Sequence, residues 1–502
     1  MLSKNLAASY MSQIYVTLIG ILLLPIYIKH MGSEAYGLVG FFSMLQAWFG
    51  LLDLGLTPTI ARESARYHGG ALPALSYRQL YRALSVIFVG IATLGGGAIF
   101  FSSGFIATQW LNVIELSTSN VTLSIQIMAL CVALRWMCGL YRGVITGAEK
   151  IVWLSSFSIV IATLRFVVVL PVMWYWGYTP VVFFVHQFIV AILEVLSIWF
   201  KALLILPNKN TLKVKIGWSF KPIKSVLKFS LTIAFTASVW VAVTQSDKLI
   251  LSGVLTLEEY GYFTLAVLIA NGITVISGPI SSVIMPRMAR LHAENKNDEL
   301  ILIYRKATQL AVVISGSAAG AIAVASYPLL LAWTNDPIIA DKAAPILRLY
   351  SIGNGFLAIA AFPYYLQYAK GNLRYHFIGN VIMLALLLPS IILAAKLYGG
   401  IGAGYAWLTM NGLYFLIWVA FVHYKLEPGL HLIWLQSDVL KIIIPVICVS
   451  MIIYFQDIIL DGQIENFVFV ILVSLIILLS SMFFSSTINN LFKNIIKSNF
   501  KK

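Results

Sequence analysis

The chain has 502 residues, 60% of them hydrophobic and only 11% charged, with a mean hydropathy of +0.90. Water-soluble domains carry about 25% charged residues, so a soluble globular fold is excluded and the solvent for most of this chain is lipid. The formal net charge of +15, from 34 Lys and Arg against 19 Asp and Glu, does not mark a nucleic-acid surface, because nearly all of it falls in the connections between apolar runs.

Those runs are long and continuous, LIGILLLPIYI and FVFVILVSLIILLSSMFF among them, whereas strands of a membrane barrel would alternate apolar and polar residues. A helix needs about 20 apolar residues to cross a hydrocarbon core of about 30 Å. The sequence predicts such helices over 9–28, 37–57, 83–101, 122–145, 151–172, 180–200, 229–250, 260–284, 307–332, 345–368, 377–397, 402–423, 440–458 and 465–486. The first begins almost at the N-terminus and has full length, so it reads as a retained span, not a cleavable signal peptide. The fold class is an all-α polytopic membrane protein with about 14 transmembrane helices.

Ionisable residues inside these runs stand out. Asp53 lies on the second predicted span, Arg135 and Arg142 on the fourth, Arg165 on the fifth, and His186 and Glu194 on the sixth. Asp247 and Lys248 sit near the outer end of the seventh. A charge at the bilayer centre costs roughly 2.5–3.5 kcal/mol on insertion scales, so it faces a cavity or a partner. Arg135 is near mid-span in QIMALCVALRWMCGLYRGVITGAEK; Arg142 follows one heptad later near the cytoplasmic end, with Cys131 and Cys138 on the same stripe. These two cysteines are separated by about 10 Å of helix and cannot bond to each other; with Cys448 they form no disulfide framework or metal motif. Asn271, Asn354, Asn380 and Asn411 also lie within spans, and Gly353, Gly355 and Pro363 predict a bend in the tenth. Trp136, Tyr141, Trp240 and Tyr364 are suited to stacking on sugar rings or, as most aromatics here, to interface belts and core packing.

The connections alternate between two sides. One side, with both termini, holds 27 Lys and Arg, and the other holds five. This positive-inside asymmetry places both termini in the cytoplasm and gives the basic segments affinity for anionic membrane lipids.

An internal repeat runs through the chain. Glu34, Tyr36 and Gly37 recur as Glu258, Tyr260 and Gly261, an offset of 224. At the same offset Ile60 matches Ile284, Ala65-Arg66 matches Ala289-Arg290, and His68 matches His292. Six helices separate the copies, so they share one orientation, and parallel repeats of this kind occur in transporters with substrate sites at the repeat interface. The expected organisation is an N-terminal six-helix lobe (1–200), a cytoplasmic basic linker (201–228), a second six-helix lobe (229–424), and two extra helices with a basic tail (425–502).

The opening KNLAASYMSQIYVTLIGILLLPIYIKHMGSEAYGLVGFF, the following DLGLTPTIARE, and SDKLILSGVLTLEEYGYFTLA at 246–266 resemble bacterial polysaccharide-export flippases. Among these the chain is similar to the O-antigen (Wzx-type) lipid-linked oligosaccharide flippases, within the superfamily that also holds multidrug extruders. The resemblance implies two pseudo-symmetric bundles around a central cavity, alternating access, the bacterial inner membrane, and a substrate built on undecaprenyl diphosphate. It also implies a polysaccharide polymerase and a chain-length regulator as partners.

Against that background the arginines have a chemical rationale. Diphosphate is anionic and rich in acceptor oxygens, and guanidinium offers a planar fork of donors that stays charged. Arg135, Arg165 and Arg142 are the substrate-binding candidates; at the repeat offset Arg135 and Arg165 fall near Ala358 and Leu388, so the second lobe lacks them. Structural roles compete with this reading: Arg135 or Arg165 pairing with Glu194, and Arg142 snorkelling to the surface. Glu194, Asp53 and His186 are the ion-coupling candidates, and Asp247 with Lys248 the gate candidates. A cation-coupled drug antiporter is the alternative transport function. An enzyme is not expected, since it would call for acidic catalytic motifs or a large extramembrane loop, and the longest loop, the lysine-rich linker, has no Asp-x-Asp, no P-loop and no paired carboxylates; no cofactor is implied.

Overall fold

The structure is a computed structural model and describes residues 2–208, 217, 221–456 and 462–490, with the backbone alone at 2–7, 221–237, 277–279, 281–283 and 286. Residues 209–216 and 218–220 of the predicted linker and 491–502 of the basic tail lie outside the described residues. Everything ordered into regular structure among the described residues is helical. Among the described residues, twelve elements are long and apolar enough to cross a membrane.

The chain divides into two compact units, Met1–Gly261 and Tyr262–Lys502. Unit 1 contains α1 (Ala8–Met31), α2 (Ser33–Asp53), the shorter α3 (Leu56–His68), α4 (Ala74–Phe101), α5 (Thr118–Gly147), α6 (Ile151–Trp176), α7 (Pro180–Ile205) and α8 (Lys221–Val254). The boundaries follow local chemistry. Pro25 sits in the first turn after a break in α1, and Gly32, at φ 88°, ends that helix. Leu54 and Gly55 are both left-handed, which turns the chain from α2 into α3. Ser117 and Thr179 cap α5 and α7 through their hydroxyls, and Pro180 occupies the first turn of α7, where its missing N–H costs nothing.

Unit 2 contains α9 (Leu257–Ala293), whose first turn belongs to unit 1, then α10 (Asn297–Val324), α11 (Pro337–Ala369), α12 (Arg374–Leu426), α13 (Leu430–Tyr454) and α14 (Gln463–Phe484). At 53 residues α12 is far longer than one crossing needs. It breaks at Gly399, whose φ of 59° and ψ of −140° are not helical, between the two spans predicted over 377–397 and 402–423. The span predicted over 229–250 falls on α8, which has 34 residues. At the place where the tenth span is expected to bend, α11 is interrupted at Ala361, and Pro363 lies in the first turn of its continuation.

α8, expected to open the second lobe, packs on α2, α3 and α4. Trp48 on α2 donates to the Gln245 carbonyl at 3.3 Å, and Trp110, after α4, donates to Ser252 Oγ at 3.0 Å. The 112–116 segment is clamped as well. Asn112 accepts from the Leu257 N–H at 3.0 Å, and the buried Glu34 carboxylate accepts the N–H groups of Ile114, Glu115 and Leu116 at 2.6–2.8 Å. Here the two copies of the Glu-x-Tyr-Gly motif meet. A β-carbon on Gly37 would overlap the Leu257 carbonyl, and one on Gly261 would lie 2.7 Å from the Ser33 carbonyl and 3.4 Å from the Gly37 nitrogen.

In unit 2 the last two helices show mostly exposed apolar side chains, as lipid-facing helices do, with only 22% and 17% of their apolar windows buried. Their inner edges are held by polar contacts: Arg305 and Gln309 on α10 bind the fully buried Asp438 at 2.6 and 2.7 Å, and Ser317 bonds Ser481 at 2.7 Å.

Candidate functional site

The site grows from α5. Gly139, Gly143 and Gly147 recur at four-residue spacing, and β-carbons on the last two would overlap Ile60 and the Ala61 carbonyl of α3. Small residues in this register let helices approach closely in lipid. Ser64 adds a hydrogen bond to the Val144 carbonyl at 2.9 Å. With its glycine face fixed on α3, α5 lays Arg135 and Arg142 along α7. Arg135 Nη2 donates to Gln187 Oε1 at 2.7 Å, and Arg142 Nη2 donates to Glu194 Oε1 at 2.8 Å. Both rungs join residues 52 apart in sequence. The constant offset means that α5 and α7 run parallel, with α6 crossing back between them.

α6 enters through an irregularity. Residues Thr163–Val167 form a π-turn, which shifts backbone carbonyls out of the ordinary helical ladder. Three successive carbonyls there are taken by side chains. His186 Nε2 donates to Leu164 at 2.8 Å, Gln187 Nε2 donates to Arg165 at 2.8 Å, and the Tyr27 hydroxyl donates to Phe166. Tyr15 and Thr163 hydroxyls bond at 2.7 Å across α1 and α6.

The three guanidiniums differ in their partners. Arg142 is one third exposed and ion-paired to the buried Glu194. Arg135 is half-buried and held by two neutral amides, Gln187 and, at 3.3 Å, Gln46, with its guanidinium 5.3 Å from the Phe42 ring centroid. Arg165 is half-buried and lies 5.3 Å from the Phe166 ring centroid; among the described residues its guanidinium has no hydrogen-bond or ion-pair partner. Arg165 lies within electrostatic range of Arg135, Arg142 and Glu194. Among the described residues the cluster therefore sets three positive charges against one carboxylate, and two of the three have no acid partner.

Residues 2–292 match the family of polysaccharide biosynthesis proteins. The chain belongs to that family. A Shigella flexneri relative named "Putative O-antigen transporter" is 21% identical over 411 residues, covering 78% of this chain and 90% of its own. The fold is similar to that of a solved structure of the lipid II flippase MurJ in its inward closed conformation, with a TM-score of 0.72 at 16% identity over 98% of this chain and 99% of that chain. An inward-facing multidrug resistance MATE family transporter of the MOP superfamily has a TM-score of 0.65 at 12% identity, over 82% of this chain and 94% of its own. The chain is a multi-pass, all-helical membrane protein of the polysaccharide biosynthesis family.

In this family member the arginine ladder brings together Arg135, Arg142, Arg165, Glu194 and His186, and leaves the other candidates elsewhere. Glu194 pairs with Arg142, not with Arg135 or Arg165. His186 spends its Nε2 proton on a backbone carbonyl. Asp53 sits on the glycine face of α5 and caps α3, accepting the Thr57 N–H at 3.2 Å and the Thr57 hydroxyl. Lys248 Nζ donates to Gln245 Oε1 at 2.8 Å, while the buried Asp247 accepts the Lys248 N–H at 2.8 Å. Of the intramembrane asparagines, Asn354 bridges Asn271 at 3.2 Å and Trp407 at 2.9 Å, joining helices within unit 2.

The Arg142–Glu194 pair has a measurable consequence. Removing one partner of a buried pair costs about 3–5 kcal/mol because it strands a charge, while replacing both by apolar residues is often neutral. Arg142 is partly exposed, so Arg142→Met is expected at the low end of that range, and Arg142→Met with Glu194→Leu is expected to recover most of it. Thermal melting of the purified proteins in one detergent checks this; equal losses in single and double variants would remove the pair's significance.

Proposed function

We propose that the chain flips an undecaprenyl-diphosphate-linked oligosaccharide, an O-antigen or related repeat unit, from the cytoplasmic to the periplasmic leaflet of the bacterial inner membrane by alternating access. The observation that carries this reading is the pair of guanidiniums on membrane-spanning helices, Arg135 and Arg165, with no carboxylate of their own. A charge kept within spans at such cost serves an anion, and the fork of an arginine matches two oxygens of a phosphate. The names of the Shigella relative and of the flippase sharing the fold support the substrate class. The distribution of Lys and Arg among the connections supports cytoplasmic termini. A cationic drug as cargo is disfavoured by the sign of the cluster. Arg142, paired to Glu194, is the arginine whose charge is released only if an anion displaces the carboxylate, which places it second to Arg135 and Arg165. Polymerase and chain-length regulator partners would act on the product at the periplasmic face.

Deletion of the chain in its host is the direct test. The expected result is loss of surface polysaccharide with accumulation of the lipid-linked repeat unit in the cytoplasmic leaflet, both reversed by the wild-type chain. Unchanged surface polysaccharide in the deletion strain would overturn the assignment.

A further inference from the structure

We infer that Gln187 is the positioning residue of the anion site: one neutral amide that aims Arg135 and fixes the turn carrying Arg165 while cancelling neither charge. The inference rests on the functional reading above and adds a residue to it. Gln187 is 2% exposed, so its side chain is committed to the interior. Its two polar atoms face in different directions. Oε1 accepts from Arg135 Nη2 at 2.7 Å, and Nε2 donates to the Arg165 carbonyl at 2.8 Å. The second bond is available only because the π-turn over Thr163–Val167 presents that carbonyl to a side chain. One amide therefore couples the rotamer of Arg135 on α5 to the backbone that carries Arg165 on α6.

The amide is also the only common side chain of this size that can do both. Glutamate would accept from Arg135 equally well but has no N–H for the Arg165 carbonyl, and it would pair with the guanidinium instead of leaving it charged. The neighbouring rung shows that outcome, since Glu194 occupies the equivalent place one heptad on and holds Arg142 in an ion pair. His186 beside it secures the Leu164 carbonyl without touching Arg135, so it separates support of the turn from aiming of the arginine. Preorganised donors bind an incoming anion without first being reordered, and binding groups held by supporting hydrogen bonds lose affinity when those supports are removed.

The test measures binding of undecaprenyl diphosphate in detergent by the purified full chain, through ligand-induced thermal stabilisation and titration, with undecaprenyl monophosphate and inorganic pyrophosphate in parallel. Gln187→Glu is expected to keep the ligand-free melting temperature close to wild type and to bind the diphosphate lipid at least about tenfold more weakly, the scale of one charge-assisted hydrogen bond. Gln187→Leu is expected to lose both bonds and to bind more weakly too. A double-mutant cycle supplies the readout that a packing role would not move: on the Gln187→Leu background, Arg135→Lys is expected to cost much less affinity than on wild type. Tight binding by Gln187→Glu, or strictly additive losses in the cycle, would overturn the positioning role while leaving the anion site standing. A wild-type chain that binds none of the three probes would overturn the functional reading, and this inference with it.

Discussion

Arg135→Ala abolishes restoration of surface polysaccharide in a deletion strain, and Arg135→Lys retains part of it; this is the largest functional effect expected of any single substitution. The argument is geometric. Alanine removes the charge and the fork, whereas lysine keeps a point charge on a flexible stem and loses bidentate recognition. A hydrogen bond to a charged group contributes about 1.5–3 kcal/mol, so two phosphate bonds lost together reduce substrate affinity by at least about a hundredfold. Arg165→Ala is expected to act in the same direction, and the double variant to be inactive. The two variants differ in side effects. Arg135→Ala leaves the Gln46 and Gln187 acceptors without their donor, while Arg165→Ala unpairs no side chain among the described residues. Membrane levels of each variant must therefore be measured beside polysaccharide. Full activity of Arg135→Ala at normal protein level would refute its contact with substrate.

The second large effect falls on stability, at the meeting of the two Glu-x-Tyr-Gly motifs. Gly37→Leu and Gly261→Leu each place a side chain where the facing backbone already stands. Backbone yields less than a side chain, so the cost belongs at the top of the usual overpacking range, about 3 kcal/mol. The expected result is a clear fall in melting temperature in detergent and failed complementation for either variant, with Gly37→Ala intermediate. Because Gly37 and Gly261 occupy the same place in the two copies of the motif, the two variants are expected to fail alike. A normal melting temperature for Gly37→Leu would show that the contact is not formed by the folded chain.

Much of this architecture is legible in the sequence because the solvent imposes it. Apolar runs of membrane length mark the spanning helices, and the break at Gly399 falls between two of the runs so read. The kink near Pro363 is legible for the same reason proline is everywhere, the missing backbone donor. The π-turn in α6 is not legible, since the charge of Arg165 marks the residue and not the backbone, and one extra residue per turn leaves no compositional mark. The intramembrane arginines announce themselves by charge, but their partners do not. Gln187 is neutral and sits in an apolar helix, so nothing in hydropathy points to it. One signal does: Gln187 stands one heptad before Glu194 just as Arg135 stands one heptad before Arg142, and α5 and α7 must be parallel if every run between them crosses the bilayer. Matching the two heptads yields both rungs. The packing of α8 on α2, α3 and α4 is hidden for a different reason, because sequence periodicity carries no record of which helix is a neighbour.

The parallel ladder has an evolutionary consequence. Codons for glutamine become codons for glutamate by one base change, and the two side chains have the same size. At position 187 that step would convert an orienting amide into a counter-ion and lower the formal charge of the cluster by one, with the steric fit of α7 against α5 retained. Selection for a less anionic cargo thus has a route requiring no new fold, no new helix contact and no rebuilt cavity, and relatives that carry such cargo are expected to be found along it.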